Sequence, residues 1–265
     1  MIKLGVNSVL FKTLSFADAA KAIKACGYDG LEISAIKGMC EHLDLDNWKA
    51  QKSEIQSIMS ENNLEMLSCE VATQDKERLL KAFEAGAEIG IPVFNIGSGG
   101  QMNNEDDLKK ALETIQMLSE LAEPFNVSLC VKAHVGAAIF NTPTTLIAMD
   151  KITSKAFGID MDPSHIYRAG EKPEIALADV ITKMKHIHIR DCIGTGPSPG
   201  TPEQQICGVG EINLFEYFKA MVNAKYDGPV CLEVIGPDKN ITEASVIAAQ
   251  SYGYMNAILK ILNAR

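Results

Sequence analysis

The sequence predicts a (β/α)8 barrel. Eight short β-rich runs alternate with longer helical patterns along all 265 residues, and a helix signal follows each run. The first turn, Asn7-Ser-Val-Leu, lacks the glycines that an open, doubly wound sheet places after its first strand. No linker, low-complexity segment or repeat interrupts the pattern, so one domain over 1–265 is expected.

The strand candidates are 3–8, 30–35, 65–71, 92–97, 128–134, 156–162, 185–191 and 229–235. Between them the helix starts and stops are marked. Ser15 precedes a periodic stretch, Phe16 to Cys26, and Gly27 follows it. Asn104 precedes Glu105-Asp-Asp, which sets negative charge at a helix start. Thr142-Pro143 reads as a cap followed by a proline in the first turn, and Asn213 precedes Leu214 to Ala224. The last helix is expected from about Glu243 to Leu262.

Composition narrows the function classes. Hydrophobic residues make up 46% and charged residues 22%, which suits a folded domain with a sizeable core. A formal net charge of −9 with no basic stripe argues against a nucleic-acid surface. The seven cysteines show no C-x-x-C spacing and read as small buried hydrophobes in a reducing compartment. Met1-Ile-Lys-Leu-Gly has no signal-peptide core, and no run of about 18 apolar residues offers a membrane span. A cytoplasmic protein without membrane or nucleic-acid partners is expected.

Strand side chains alternate sides with period two. In 128–134, Leu129, Val131 and Ala133 oppose Cys130, Lys132 and His134. In 156–162, Phe157, Ile159 and Met161 oppose Gly158, Asp160 and Asp162. Ile187 and Ile189 oppose His186, His188 and Arg190, and Val230, Leu232 and Val234 oppose Cys231, Glu233 and Ile235. Leu31 and Ile33 oppose Glu32, while Leu67, Cys69 and Val71 oppose Ser68 and Glu70. The apolar side suits the helices. The other side sends Glu32, Glu70, Lys132, His134, Asp160, Asp162, His186, His188, Arg190 and Glu233 into the lumen. Most stand near C-terminal strand ends, where barrel enzymes carry their sites. So many buried charges require a metal ion or a dense ion-pair network. Asp162, His188 and Glu233 end three consecutive strands and form a plausible divalent-metal triad. Asp160 and His186, one layer deeper, suit a carboxylate–imidazole pair or a support for ligands.

Tyr28-Asp-Gly-Leu-Glu-Ile33, Asp162-Pro-Ser-His165, His186-Ile-His-Ile-Arg-Asp191, Gly208-Val-Gly-Glu-Ile-Asn213 and Tyr226-Asp-Gly-Pro-Val-Cys-Leu-Glu233 occur in the order and spacing of one superfamily. The chain resembles the xylose isomerase-like barrels of sugar isomerases and epimerases along its whole length. The resemblance implies a divalent ion, Mn²⁺, Co²⁺, Mg²⁺ or Zn²⁺, held by a Glu, an Asp, a His and a Glu on the last four strands. Asp162, His188 and Glu233 match the last three, and His165 matches a substrate contact. Lys132 stands where the first Glu is expected, and an ammonium cannot ligate a cation. In epimerases the two Glu are paired acid/base groups, so their two-base chemistry is in question here.

Three readings of Lys132 follow. An ion held by Asp162, His188 and Glu233, with His134 or water, would lower the pKa of Lys132 and make it a general base beside a metal-polarised carbonyl. Alternatively its ammonium replaces the ion among Asp162 and Glu233. In the third reading the site is inactive and the protein binds a sugar or serves as a partner subunit.

Lys132, Glu233 and His134 are therefore the catalytic candidates, with His134 alternatively a ligand or a hydrogen-bonded lumen histidine. His165, Arg190, Glu32 and Glu70 are the substrate-binding candidates, although Arg190 equally suits a pair with Asp191. Gly97-Ser-Gly-Gly100 is a phosphate cradle or a tight turn. The Gly- and Pro-rich loop 192–210 covers a substrate or forms a surface contact. The expected function is a sugar isomerase or epimerase acting by metal-assisted proton abstraction next to a carbonyl. A keto-sugar lyase is the alternative on the same site. The substrate is a small carbohydrate, and a homo-oligomer follows by analogy with relatives. A DNA-repair nuclease of this fold would need more than five histidines and a basic groove.

Overall fold

Eight parallel strands close on themselves in the computed structural model, which describes residues 2–265. In chain order the strands are β1 (Lys3–Asn7), β2 (Gly30–Ile36), β3 (Cys40–Glu41), β4 (Glu65–Glu70), β5 (Val93–Gly97), β6 (Ser128–Lys132), β7 (Phe157–Met161), β8 (Met184–Ile189) and β9 (Pro229–Leu232). The two-residue β3 only pairs antiparallel with β2. The others form the barrel, with β1 bonded to both β2 and β9 to complete it. The helices are α1 (Phe16–Ala25), α2 (Trp48–Glu61), α3 (Lys76–Ile89), α4 (Glu105–Ala122), α5 (Thr142–Lys151), α6 (Pro163–Arg168), α7 (Pro173–Val180), α8 (Leu214–Asn223) and α9 (Ile241–Ile261). The expected (β/α)8 barrel is the observed fold. No helix among the described residues is long and apolar enough to cross a membrane.

Local chemistry sets the boundaries. Ser15, Asn104 and Asn213 each accept a backbone N–H of the first helical turn, satisfying donors that otherwise lack partners. Asn141, not Thr142, caps α5, because its side chain and Thr144 bond reciprocally in a capping box. Asn240 and Glu243 do the same for α9, which therefore starts ahead of the expected Glu243. The seven cysteines are unpaired thiols, six of them buried.

The apolar strand faces pack against the helices in one continuous core that includes Leu31, Ile33, Leu129, Phe157, Ile187 and Leu232. Leu67 departs from the expected alternation. A register shift in β2–β4 pairs Leu31 with Met66 and Glu32 with Ser68. That bulge frees Leu67 to turn into the lumen, where it lies against Gly5 and Gly30. It floors the barrel below the charged layers, alongside Cys231.

Gly30 leaves no room for a side chain. A Cβ there would stand 2.3 Å from the Glu65 carbonyl oxygen, a backbone atom that cannot rotate aside. Gly253, exposed in α9, would meet nothing within 4 Å. Gly30→Ala is expected to lower stability by about 1–3 kcal/mol through overpacking. Gly253→Ala should raise it by up to about 1 kcal/mol through helix propensity. Urea denaturation midpoints check both signs.

Candidate active site

The lumen charges form two layers. The inner layer centres on His188, whose Nδ1 lies 2.6 Å from Asp160 Oδ2 and whose Nε2 lies 2.5 Å from Glu32 Oε2. Both ring nitrogens face carboxylates, so both carry protons. Burial opposes that charge, but Asp160 and Glu32 outweigh it and hold the imidazolium well above the ordinary histidine range. Asp160 also accepts from His186 Nδ1 at 2.9 Å and from the His188 backbone N–H at 3.0 Å. Despite burial, His188 and His186 hold its carboxyl well below the usual range. The deep Asp160–His186 pair expected from alternation thus forms, and Ser68 Oγ lies 2.8 Å from the other His186 nitrogen. Asn7 and Asn95 complete the layer, donating to Glu32 at 2.8 and 2.5 Å.

The outer layer is built on Lys132, the last residue of β6. Its Nζ donates to both oxygens of Glu233, at 2.9 and 3.0 Å, and lies 3.7 Å from Glu70 Oε1. Burial disfavours the ammonium, but Glu233 and Glu70 hold Lys132 above the ordinary lysine range. The lowered pKa expected of Lys132 belongs to a lysine beside a metal ion; with these carboxylates as its neighbours the amine is held upward. Burial raises Glu233, yet Lys132 and Arg190 bring it well below the usual range. Glu70 goes the other way. Burial and the charge of Glu233 push it up to about 8, although Asn7 Nδ2 donates to it at 2.6 Å.

Arg190 closes this layer. Its Nη2 donates to Asp162 Oδ2 at 3.0 Å and its Nε to Ser164 Oγ at 2.9 Å. Nη1 stands 3.0 Å from Glu233 Oε2 but out of line for a hydrogen bond, which leaves a buried N–H without an acceptor. His165 stacks on His134 with ring centroids 4.0 Å apart. Arg168 Nη2 and Arg190 Nη2 each lie 2.9 Å from one of its ring nitrogens. Burial and then Arg190 hold its imidazole neutral, well below the ordinary range.

Residual exposure separates the layers. Glu70 (8%), Lys132 (6%) and Glu233 (4%) retain some, whereas Glu32, Asp160, Asp162, His186 and His188 retain none. The first three are the least buried charges of the lumen. Glu32, expected at the substrate, is sealed beneath them by Asn7, Asn95 and His188. His134, expected in the lumen beside Lys132, is exposed at the mouth. β6 ends at Lys132, and His134 enters a turn in which its N–H bonds Ile139 O and its carbonyl accepts Ala137 N–H. Arg190 pairs with Asp162 and not with Asp191, whose carboxylate accepts the backbone N–H groups of Cys192, Gly208 and Ile212. β5 ends at Gly97, and the chain then bends with Gly99 and Gly100 at φ 66° and 64°, the Gly99 carbonyl accepting Ala138 N–H.

Loop 192–210 is pinned over the mouth. Arg168 Nη1 donates to the Pro197 carbonyl at 2.7 Å. The Gln205 amide pairs with both backbone groups of Ile235, donating to its O at 2.7 Å and accepting from its N at 3.1 Å. Asn7, Asn95, Ser164 and Arg168 escaped the sequence reading. Asn7 and Asn95 alternate with the apolar Val6 and Phe94 in their strands, and Arg168 is one helical turn from His165, so period alone points to all three.

Two groups of three bring one ligand atom each within 4.8 Å of one another: Glu32, His186 and His188, and Glu70, His188 and Glu233. The expected set of Asp162, His188 and Glu233 does not converge. Asp162 Oδ1 caps α6 through Ser164 and Oδ2 is taken by Arg190. The donor set does not fit a divalent ion as arranged. His188 has no free lone pair, and the Glu233 oxygens already face Lys132 and Arg190.

The profile of the xylose isomerase-like TIM barrel family matches residues 20–252. The chain belongs to that family. Among curated proteins it is similar to an inosose dehydratase of Bacillus cereus, at 22% identity over 58% of this chain and 47% of that protein. An inosose dehydratase of Clostridium perfringens is 24% identical over 39% of this chain and 34% of its own length. The chain thus spans about half or less of the curated relatives it matches. Among solved structures, a D-tagatose 3-epimerase-like protein superposes with TM-score 0.79 at 20% identity, covering 99% of this chain and 98% of that one. A probable 3-DHS dehydratase from Bacillus anthracis superposes with TM-score 0.79 at 16% identity over 96% and 99% of the two chains. A 3-keto-D-glucoside 4-epimerase from E. coli gives 0.76 at 15% over 97% and 100%. At these identities the structures establish the shared fold.

Glu70 binds its proton more tightly folded than unfolded. Its contribution to stability is therefore fully present below the ordinary carboxylate range and is lost as pH rises through about 8. Denaturant titrations should show stability falling between about pH 5 and pH 9, and Glu70→Gln should flatten part of that fall. An unchanged pH slope in the variant would refute this assignment.

Proposed function

We propose that this chain is a sugar isomerase- or epimerase-type enzyme that moves a proton at the carbon next to a carbonyl of a sugar or keto-sugar. The observation that carries this reading is the least buried face of the lumen, where the Lys132 ammonium sits between a strongly acidic carboxyl, Glu233, and a weakly acidic one, Glu70. A carbonyl oxygen at that face meets Lys132 Nζ, a donor for the charge that develops on an enolate. Glu70 exchanges the proton, because a carboxyl near neutrality is matched to that task. Glu233 holds Lys132 in position, and its depressed pKa makes it the poorer base. His165 and the exposed His134 are left to contact hydroxyl groups. This distribution supports Lys132 as electrophile rather than as the general base.

The names of the relatives favour a second reading. Several are inosose dehydratases and one neighbour is a probable dehydratase, whereas other neighbours are epimerases. Elimination of water from a keto-polyol begins with the same proton removal and adds protonation of a leaving hydroxyl, a step within reach of the Glu70 carboxyl. The two reactions differ only in what the enolate does next.

Incubation with ketoses, keto-glycosides and inosose in D2O, followed by NMR, separates the outcomes. Deuterium next to the carbonyl with all hydroxyls retained indicates an isomerase or epimerase, and loss of water indicates the lyase. No exchange with any of these substrates would refute the enzymatic reading. Lys132→Met is expected to slow exchange by about 10²–10³-fold, as removal of one oxyanion donor does. Glu70→Gln should slow it by about 10²–10⁴-fold and abolish a rise in rate with pH centred near 8.

A further inference from the structure

We infer that the protein's own cations, the Lys132 ammonium and the Arg190 guanidinium, occupy the position of a divalent ion in this barrel, so that the site binds none. This inference concerns the charge of the site and holds for either reaction above. Lys132 Nζ reaches both oxygens of Glu233, at 2.9 and 3.0 Å, and approaches Glu70 at 3.7 Å. Arg190 spans from Glu233 Oε2 to Asp162 Oδ2, 3.0 Å from each. Glu233 is thus neutralised from two sides and Asp162 from one, and Lys132 stands beside Glu70. Together the two cations carry the +2 charge that a divalent ion would bring.

Neither cation is free to swing away. Arg190 is fully buried and also bonds Ser164 Oγ and His165. The Lys132 ammonium is held by its two hydrogen bonds to Glu233 in a buried position. An ion entering among Glu70, His188 and Glu233 would compete with Lys132 for the same carboxylate oxygens. It would also find both His188 nitrogens already engaged by Asp160 and Glu32, and the Lys132 and Arg190 charges beside it. Like charges at contact distance in a buried site repel strongly. The arrangement therefore selects against the ion both by occupying its oxygens and by repulsion.

The experiment titrates Mn²⁺ into the full chain, following loss of the free-ion EPR signal, with metal content after dialysis as a second readout. The parent chain is expected to leave the Mn²⁺ signal unchanged at this site. Lys132→Glu, which exchanges the ammonium for a carboxylate beside Glu70 and Glu233, is expected to bind one ion per chain. Lys132→Met removes the ammonium without adding a ligand and should bind more weakly than Lys132→Glu but above the parent. It carries the same test where Lys132→Glu does not fold, as circular dichroism reports. Uptake of one ion by the parent, abolished by Glu233→Gln, would overturn the inference. Uptake that survives Glu233→Gln lies elsewhere and agrees with it. Failure of both Lys132 variants to gain ion binding while folded would also overturn it. Because the readout is ion stoichiometry, failure here leaves the proton-transfer reading standing.

Discussion

Compensation of buried negative charge is the constraint around which this barrel is organised. Glu32, Asp160, Asp162 and Glu233 are almost wholly removed from water, where an unpaired carboxylate is prohibitively costly. The lumen answers with His188 held between Asp160 and Glu32, Arg190 between Asp162 and Glu233, and Lys132 on Glu233. Glu70 is the group for which no full counter-charge remains, so it keeps its proton instead. The chemistry at the mouth is thus a by-product of the charge balance beneath it. Removing one cation would leave a buried carboxylate unpaired as well as deleting a contact.

Much of this was legible in the sequence because a barrel is a periodic object. Alternation of apolar and ionisable residues named the strands, and it sent Glu70, Lys132, Asp160, Arg190 and Glu233 to the lumen. It failed where period two stops applying. The bulge at Leu31 and Glu32 slipped Leu67 to the inner side, and the end of β6 at Lys132 released His134 into a turn. Asp162 follows β7 and is claimed by the cap of α6, a local competitor that a strand pattern does not contain. Pairing was less legible than placement. Which carboxylate takes which cation depends on distances across the lumen between strands far apart in the chain.

Family membership and the lumen network constrain function differently. The family fixes the architecture, while relatives of the same shape bear the names of epimerases and dehydratases. What distinguishes this lumen is a few side chains: two carboxyls of different acidity flank an ammonium, beside a neutral histidine between two guanidinium groups.

The amide of Gln205 has a mechanical consequence. It imitates a neighbouring strand, lending its own N–H and C=O to Ile235 beyond the end of β9. The main chain that carries Glu233 is thereby stapled to the covering loop rather than only to the sheet. The loop cannot part from that segment without breaking both bonds. Cover and carboxylate are thus joined through one side chain, by two hydrogen bonds made two residues beyond Glu233.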